Sequence, residues 1–187
     1  MGVKTLPFLV GFVALHLALI LDATSMGSPD WLVGRPGENA TSNSSVTKGL
    51  WALCWNDDCD TLNETLQTDS FRATQALFTI GTGSCLVSLV LLYIVVFSTN
   101  FKDSLPLTIA WVSAVLVSGF SLLTSIIIYG ARMKKDTEDI PTDYDLHLGW
   151  GFDVAIAATV MTFITSSASA RLCSLQKGEQ RGYEDLP

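Results

Sequence analysis

Two cysteines, Cys54 and Cys59, enclose the four residues Trp55-Asn56-Asp57-Asp58 and could do one of two kinds of chemistry. Thiolates beside carboxylates can hold a metal, whereas two thiols in an oxidising compartment form a disulfide. No His lies nearby, so a disulfide is expected, closing a two-strand hairpin with an acidic turn. Its restriction of the unfolded chain is worth about 2 kcal/mol. The other two cysteines do not join this pair. Cys85 falls inside a long apolar stretch and reads as a small apolar residue. Cys173 follows another such stretch and is a candidate for reversible palmitoylation, against a plain thiol. Asp153 and His16 also fall within apolar runs. A carboxylate at the centre of a bilayer costs roughly 2.5–3.5 kcal/mol and marks transport pathways when it has a charged partner. No such partner is found in the runs, so Asp153 is expected to face neighbouring helices near one surface, bonded to a Ser, Thr or Trp. His16 is expected to be a hydrogen-bonded interior residue. The loops carry no nucleophile–base set. Neither an enzyme, nor a cofactor, nor a metal site is expected.

Three further patterns are chemical without being catalytic. Asn39-Ala-Thr41, Asn43-Ser-Ser45 and Asn63-Glu-Thr65 are acceptor sequons for N-glycosylation, and all fall in one polar segment. Arg72 stands just before an apolar run, where it would anchor at the lipid–water boundary and tie the preceding segment to the helices. The final stretch Gly182-Tyr183-Glu184-Asp185-Leu186-Pro187 places a bulky apolar residue three positions after Tyr183. Clathrin adaptors read that pattern as an extended strand, with pockets for Tyr183 and Leu186.

The elements that must position these residues are set by hydropathy. The 187 residues have a mean hydropathy of +0.39, and only 16% are charged. Four segments are long and apolar enough to cross a bilayer, about Leu6–Leu21, Ala73–Phe97, Leu107–Gly130 and Leu148–Ala170. Hydrocarbon offers backbone groups no water, so such segments must be helical. The first is short, and Ala23-Thr24-Ser25 offers a small-residue cleavage site, so a removed signal peptide is the alternative to a retained span. Gly81, Gly83, Ser84 and Ser88 in the second run, and Ser113, Ser118, Gly119 and Ser121 in the third, let helices approach closely. Ala155, Ala157, Ala158 and Ser166-Ser167-Ala168-Ser169 do the same in the fourth. Between the first two spans, residues 22–72 form a loop. Trp31-Leu32-Val33 and Leu50–Trp55 read as strands in it, around a turn-rich Asn39–Thr47 insert that makes a poor strand. Pro141 stops helix formation in the loop from Ala131 to His147.

Basic residues do not orient the chain. With the N-terminus inside, five Lys/Arg lie in the cytoplasm and six outside. The sequons and the Cys54/Cys59 pair decide instead, placing the 22–72 loop outside and both termini in the cytoplasm. The net charge of −7 then concentrates outside, which excludes nucleic acid as a partner.

Trp31, Gly49-Leu50-Trp51, Cys54, Cys59 and Arg72, set ahead of the second of four spans, resemble the signature of the claudin superfamily. The short gap between the cysteines is similar to the peripheral myelin protein, epithelial membrane protein and lens fibre intrinsic protein branch. So are Leu66–Ser70 running into Arg72–Ala76, and Leu148-Gly149-Trp150. Gly182-Tyr183-Glu184-x-Leu186 resembles the end of natural killer cell granule protein-like members, and a claudin-domain-containing member is the alternative. The chain does not end in the Tyr-Val of claudins that bind PDZ scaffolds, so tight-junction anchoring by that route is not expected.

The resemblance implies an all-α membrane protein with a small β element. A four-helix bundle over residues 1–173 carries an antiparallel extracellular sheet held by Trp31, Trp51 and the disulfide, and residues 174–187 form a cytoplasmic tail. It also implies a non-enzymatic glycoprotein that organises membranes by lateral or head-to-head contacts with itself or other membrane proteins. Cell junctions, the plasma membrane and lysosomal or cytolytic granule membranes are all expected sites, with clathrin adaptors as partners of the tail. The alternative is an accessory subunit of a channel or receptor.

Overall fold

The computed structural model describes residues 5–37, 44–56, 58–62, 67–97, 104–132 and 144–184, with the side chains of Thr5 and of 179–184 not described. The sequons at Asn39, Asn43 and Asn63, together with Asp57 and Leu186, lie outside the described residues. Among the described residues, four helices are long and apolar enough to span a membrane. They are α1 (Thr5–Gly27), α2 (Asp69–Phe97), α3 (Leu105–Arg132) and α4 (Trp150–Glu184). Each is longer than its apolar run because polar residues at the ends extend it. Thr68 caps α2, its hydroxyl accepting from the Phe71 amide at 3.3 Å. Pro106 sits in the first turn of α3, where its missing N–H costs nothing.

Among the described residues, five short strands form one antiparallel sheet at the end of the bundle where α1 stops and α2 starts. They are β1 (Leu32–Pro36), β2 (Val46–Lys48), β3 (Ala52–Trp55), β4 (Asp58–Thr61) and β5 (Tyr144–Leu148), in the order β4-β3-β2-β1-β5. Two of these differ from the expectation. Val46–Lys48 is a strand despite its polar surroundings, because Val46 is buried between β1 and β3 and pairs Gly34 on one side and Trp55 on the other. The second is β5, in the loop before α4, which pairs along the whole of β1 from Leu32↔Leu148 to Pro36↔Tyr144. The β3–β4 hairpin turns at Asn56, whose φ of 54° is the left-handed conformation that tight hairpins need and Asn tolerates.

In the bundle α1 packs against α4, and α2 against α3, both antiparallel, with α3 also on α4 and α1 on α2. Close approaches occur where one side chain is small. Gly11 meets Ala168, and a Cβ on Gly81 would come within 2.7 Å of Leu122 Cγ. Thus Gly81, Gly119, Ala155, Ala158 and Ala168 are buried, while Gly83, Ser113, Ala157 and Ser167 face outward. One apolar cluster lies below the sheet around Trp31, Phe78, Tyr129 and Phe152, and a second lies deeper around Leu15, Cys85, Trp111 and Val115.

Candidate functional site

The junction between sheet and bundle is built around Trp31. The residue precedes β1 and is fully buried. Its ring meets Phe78 of α2, Tyr129 of α3 and Phe152 of α4 edge-on, at centroid distances of 5.2, 5.0 and 5.9 Å. Its indole N–H donates to the Ser25 carbonyl of α1 at 2.8 Å. One side chain therefore touches all four helices, and its polar edge is satisfied, as a buried indole requires. The Ser25 hydroxyl donates to the Gly151 carbonyl at 2.8 Å, locking the end of α1 to the start of α4. The backbone amide of Gly149 donates to the Trp31 carbonyl, and that of Gly151 to the Asp30 carbonyl, both at 3.0 Å.

Gly49-Leu50-Trp51 supplies the second attachment. A side chain at Gly49 would collide with the backbone of Ser28 and Pro29, so only glycine lets the segment seat there. Leu50 is buried in the same cluster as Trp31, and its carbonyl accepts from Gln75 Nε2 at 2.6 Å. Trp51 was expected to hold the sheet, but it is 43% exposed. The holding is done by Leu50, because the seat made by Gly49 turns the leucine inward and leaves its neighbour on the outside. Two partners here were not singled out by the sequence. Gln75 falls in the Arg72–Ala76 stretch that carries the resemblance, but its residue type alone assigns it no role. Lys48 is buried, with its ammonium 5.0 Å from the centre of the Phe71 ring, a cation–π contact.

Cys54 and Cys59 are joined, directly opposite one another on β3 and β4. Every residue of β4 is exposed, and Asp58 and Asp60 place charge on this sheet edge. Charge on an edge discourages pairing with another strand. Arg72 is exposed in the first turn of α2, where its amide donates to the Thr68 carbonyl.

The two acids of the spans are arranged differently from expectation. Asp153 does not face the bundle; it is exposed in the first turn of α4. There the unpaired amides of a helix N-terminus favour a carboxylate, so no buried partner is needed. The buried acid is instead Asp22. It was expected to begin the outer loop, but α1 continues five residues beyond it. Asp22 is fully buried, and neither carboxylate oxygen has a hydrogen-bond partner among the described residues. It lies near Cys85 of α2, which in turn faces Ser118 of α3. His16 is hydrogen-bonded. With a neutral ring, Nδ1–H donates to the Phe12 carbonyl at 2.7 Å and Nε2 accepts from the Tyr93 hydroxyl at 2.9 Å. That bond joins α1 to α2 within the spans. Cys85 is buried, and Cys173 is half-buried on α4. Helix α4 runs to Glu184, so the backbone of Tyr183 is helical and not extended.

The PMP-22/EMP/MP20/Claudin family matches residues 5–166, from the start of α1 to well inside α4. The chain belongs to this family. No curated protein matches the chain in sequence. Family membership and the four apolar helices together make this a multi-pass membrane protein. No group of three or more His, Cys, Asp or Glu that could hold a metal occurs among the described residues.

Proposed function

We propose that this claudin-family protein organises membranes through contacts made by its sheet, without catalysing a reaction. The observation that carries the reading is how its five tryptophans are divided. Trp31 and Trp111 are buried, whereas Trp51, Trp55 and Trp150 are exposed on the sheet end of the molecule. Trp150 starts α4 at the boundary where tryptophans anchor in bilayers, its indole N–H bonded to the Asp30 carboxylate. Trp51 and Trp55 lie on or beside β3 and have no such duty. Exposed aromatics on a rigid support are typical anchors of protein contacts. Since the buried tryptophans already hold the fold, the exposed faces of these two, with Trp55 backed by Tyr144, are open to a partner.

The sheet faces the outside or a lumen, both termini lie in the cytoplasm, and Asn39, Asn43 and Asn63 carry sugars. The sequon cluster and the disulfide support this orientation. Tyr183 and Leu186 set how long the protein stays at the surface before passing to endosomal or granule membranes. Cys173 sits where palmitoylation would occur.

The contact is tested by cross-linking of the full-length protein in membranes, wild type against Trp51→Ser with Trp55→Ser. Loss of most of the cross-linked dimer, with unchanged thermal unfolding, is the expected result. An unchanged dimer defeats the contact reading. Recovery of both forms in fixed ratio with a larger membrane protein transfers the role to an accessory subunit. For the tail, Tyr183→Ala is expected to raise the surface-to-endosome ratio; an unchanged ratio makes the tail incidental.

A further inference from the structure

At the end of the bundle remote from the sheet, α1 and α4 part around an open groove of about 610 Å³. Its walls are apolar, made by Leu6 and Val10 of α1 and by Ile164 and Ala168 of α4. Its mouth is not apolar. Arg171 lines it together with Ser174, three residues apart and so on one face of α4. Arg171 is exposed and forms no ion pair among the described residues. A lone arginine is costly in hydrocarbon but not at a headgroup layer, so its depth matters. From Trp150 to Arg171 the helix rises about 32 Å, which matches the hydrocarbon thickness of about 30 Å. With Trp150 at one interface, Arg171 therefore stands at the other, level with lipid phosphates. A guanidinium presents a planar fork that suits phosphate and carboxylate oxygens.

We infer that the α1–α4 groove is a binding site for a single anionic phospholipid of the leaflet remote from the sheet. Its acyl chain lies along Leu6, Val10 and Ile164, and its headgroup is held by Arg171 with the Ser174 hydroxyl. Both halves of the molecule are matched, the apolar walls by the chain and the cation at the mouth by the headgroup charge. The groove opens to the bilayer, so a lipid enters sideways without any helix having to separate. The inference needs only the membrane-spanning bundle. It does not depend on the contacts proposed for the sheet.

The test uses the full-length protein in nanodiscs of phosphatidylcholine with a minor fraction of phosphatidylserine, and native mass spectrometry of the lipid retained after ejection. Wild type is expected to keep one phosphatidylserine in preference to phosphatidylcholine. Arg171→Gln should lower that preference about fivefold, the effect of one cation near an anionic headgroup, while Arg171→Lys retains most of it. Val10→Trp should abolish retention with the arginine intact. Val10 is already lipid-facing, so the fold has no reason to fail. Lys177→Gln, beyond the groove on the same helix, should change nothing. The inference is overturned if Arg171→Gln keeps the preference, or if Lys177→Gln lowers it equally, since a diffuse surface charge would then be enough. Recovery of a protein dimer with no retained lipid, lost on Val10→Trp, would also overturn it by giving the groove to a second copy.

Discussion

Asp22 and Trp31 sit nine positions apart and represent opposite uses of a polar atom in an apolar interior. The Trp31 indole is fully satisfied by Ser25, so its burial is all gain. Replacing a buried tryptophan of this kind with alanine typically costs 3–5 kcal/mol. Asp22 has the reverse balance, since both its oxygens are buried without a partner among the described residues. Leaving a buried acceptor unpaired costs about 1–3 kcal/mol, and more when it is charged. Asp22→Leu is therefore expected to raise the midpoint of thermal unfolding in detergent, with a gain of about 1–3 kcal/mol. Asp22→Asn keeps the polarity and should gain less. A lowered midpoint for Asp22→Leu would mean that the carboxylate has a structural partner, and the reading of it as an unrelieved cost would fail. His16 shows how such a cost is avoided in the same helix, because its two ring nitrogens both find oxygens.

Among the elements, the helices were legible in the sequence and the sheet only partly so. An apolar run of span length admits one structure in hydrocarbon, so four helices followed from hydropathy alone. Their ends did not, because hydropathy falls at the first charge while hydrogen bonding continues. That is why the apolar run ends before Asp22 while α1 continues to Gly27. The hairpin at Cys54 and Cys59 was legible because its pairing is local. Strand β5 was not read, although Tyr144-Asp145-Leu146-His147-Leu148 alternates apolar and polar residues, because it is short, runs straight into the fourth apolar segment, and has its partner β1 more than a hundred residues away. Small residues along the spans were visible, but not which of them pack; that depends on the rotation of each helix. Gly81 and Gly83 give a direct test. A Cβ at Gly81 would press on the Leu122 side chain and backbone nitrogen, whereas a Cβ at Gly83 would meet no neighbouring element within 4 Å. Gly81→Ala should destabilise by about 1–3 kcal/mol through overpacking. Gly83→Ala should be neutral or stabilise by up to about 1 kcal/mol through helix propensity. The comparison is made by thermal unfolding of both variants in one detergent. Equal effects would mean that the α2–α3 contact at Gly81 is not close.

For the whole molecule, the exposed tryptophans stand at two heights, which separates the contacts it can make. Trp51 lies at the base of the sheet, beside Leu50 in the core of the bundle. Trp55 lies at the tip, against Tyr144, where Val46 starts β2 and Pro36 ends β1. A base contact joins neighbours within one membrane, and a tip contact joins two facing membranes. The connection from β1 to β2 leaves from the tip and contains the sequons at Asn39 and Asn43. Hydrated sugars on Asn39 and Asn43 would stand between opposed tips, whereas the sequon at Asn63 follows Leu62, whose amide donates to the Trp51 carbonyl at the base, and is left intact in this test. Asn39→Gln with Asn43→Gln is therefore expected to increase clustering of vesicles that carry the protein on facing surfaces. Cross-linking within one membrane should stay unchanged. The two readouts are turbidity of mixed proteoliposomes prepared from glycosylated protein, and dimer yield in dilute vesicles. If clustering does not rise while glycosidase confirms that the sugars were present, the tip is not an adhesive surface. The base contact, and with it the lateral organisation of a single membrane, would then be the whole of the protein's proposed role.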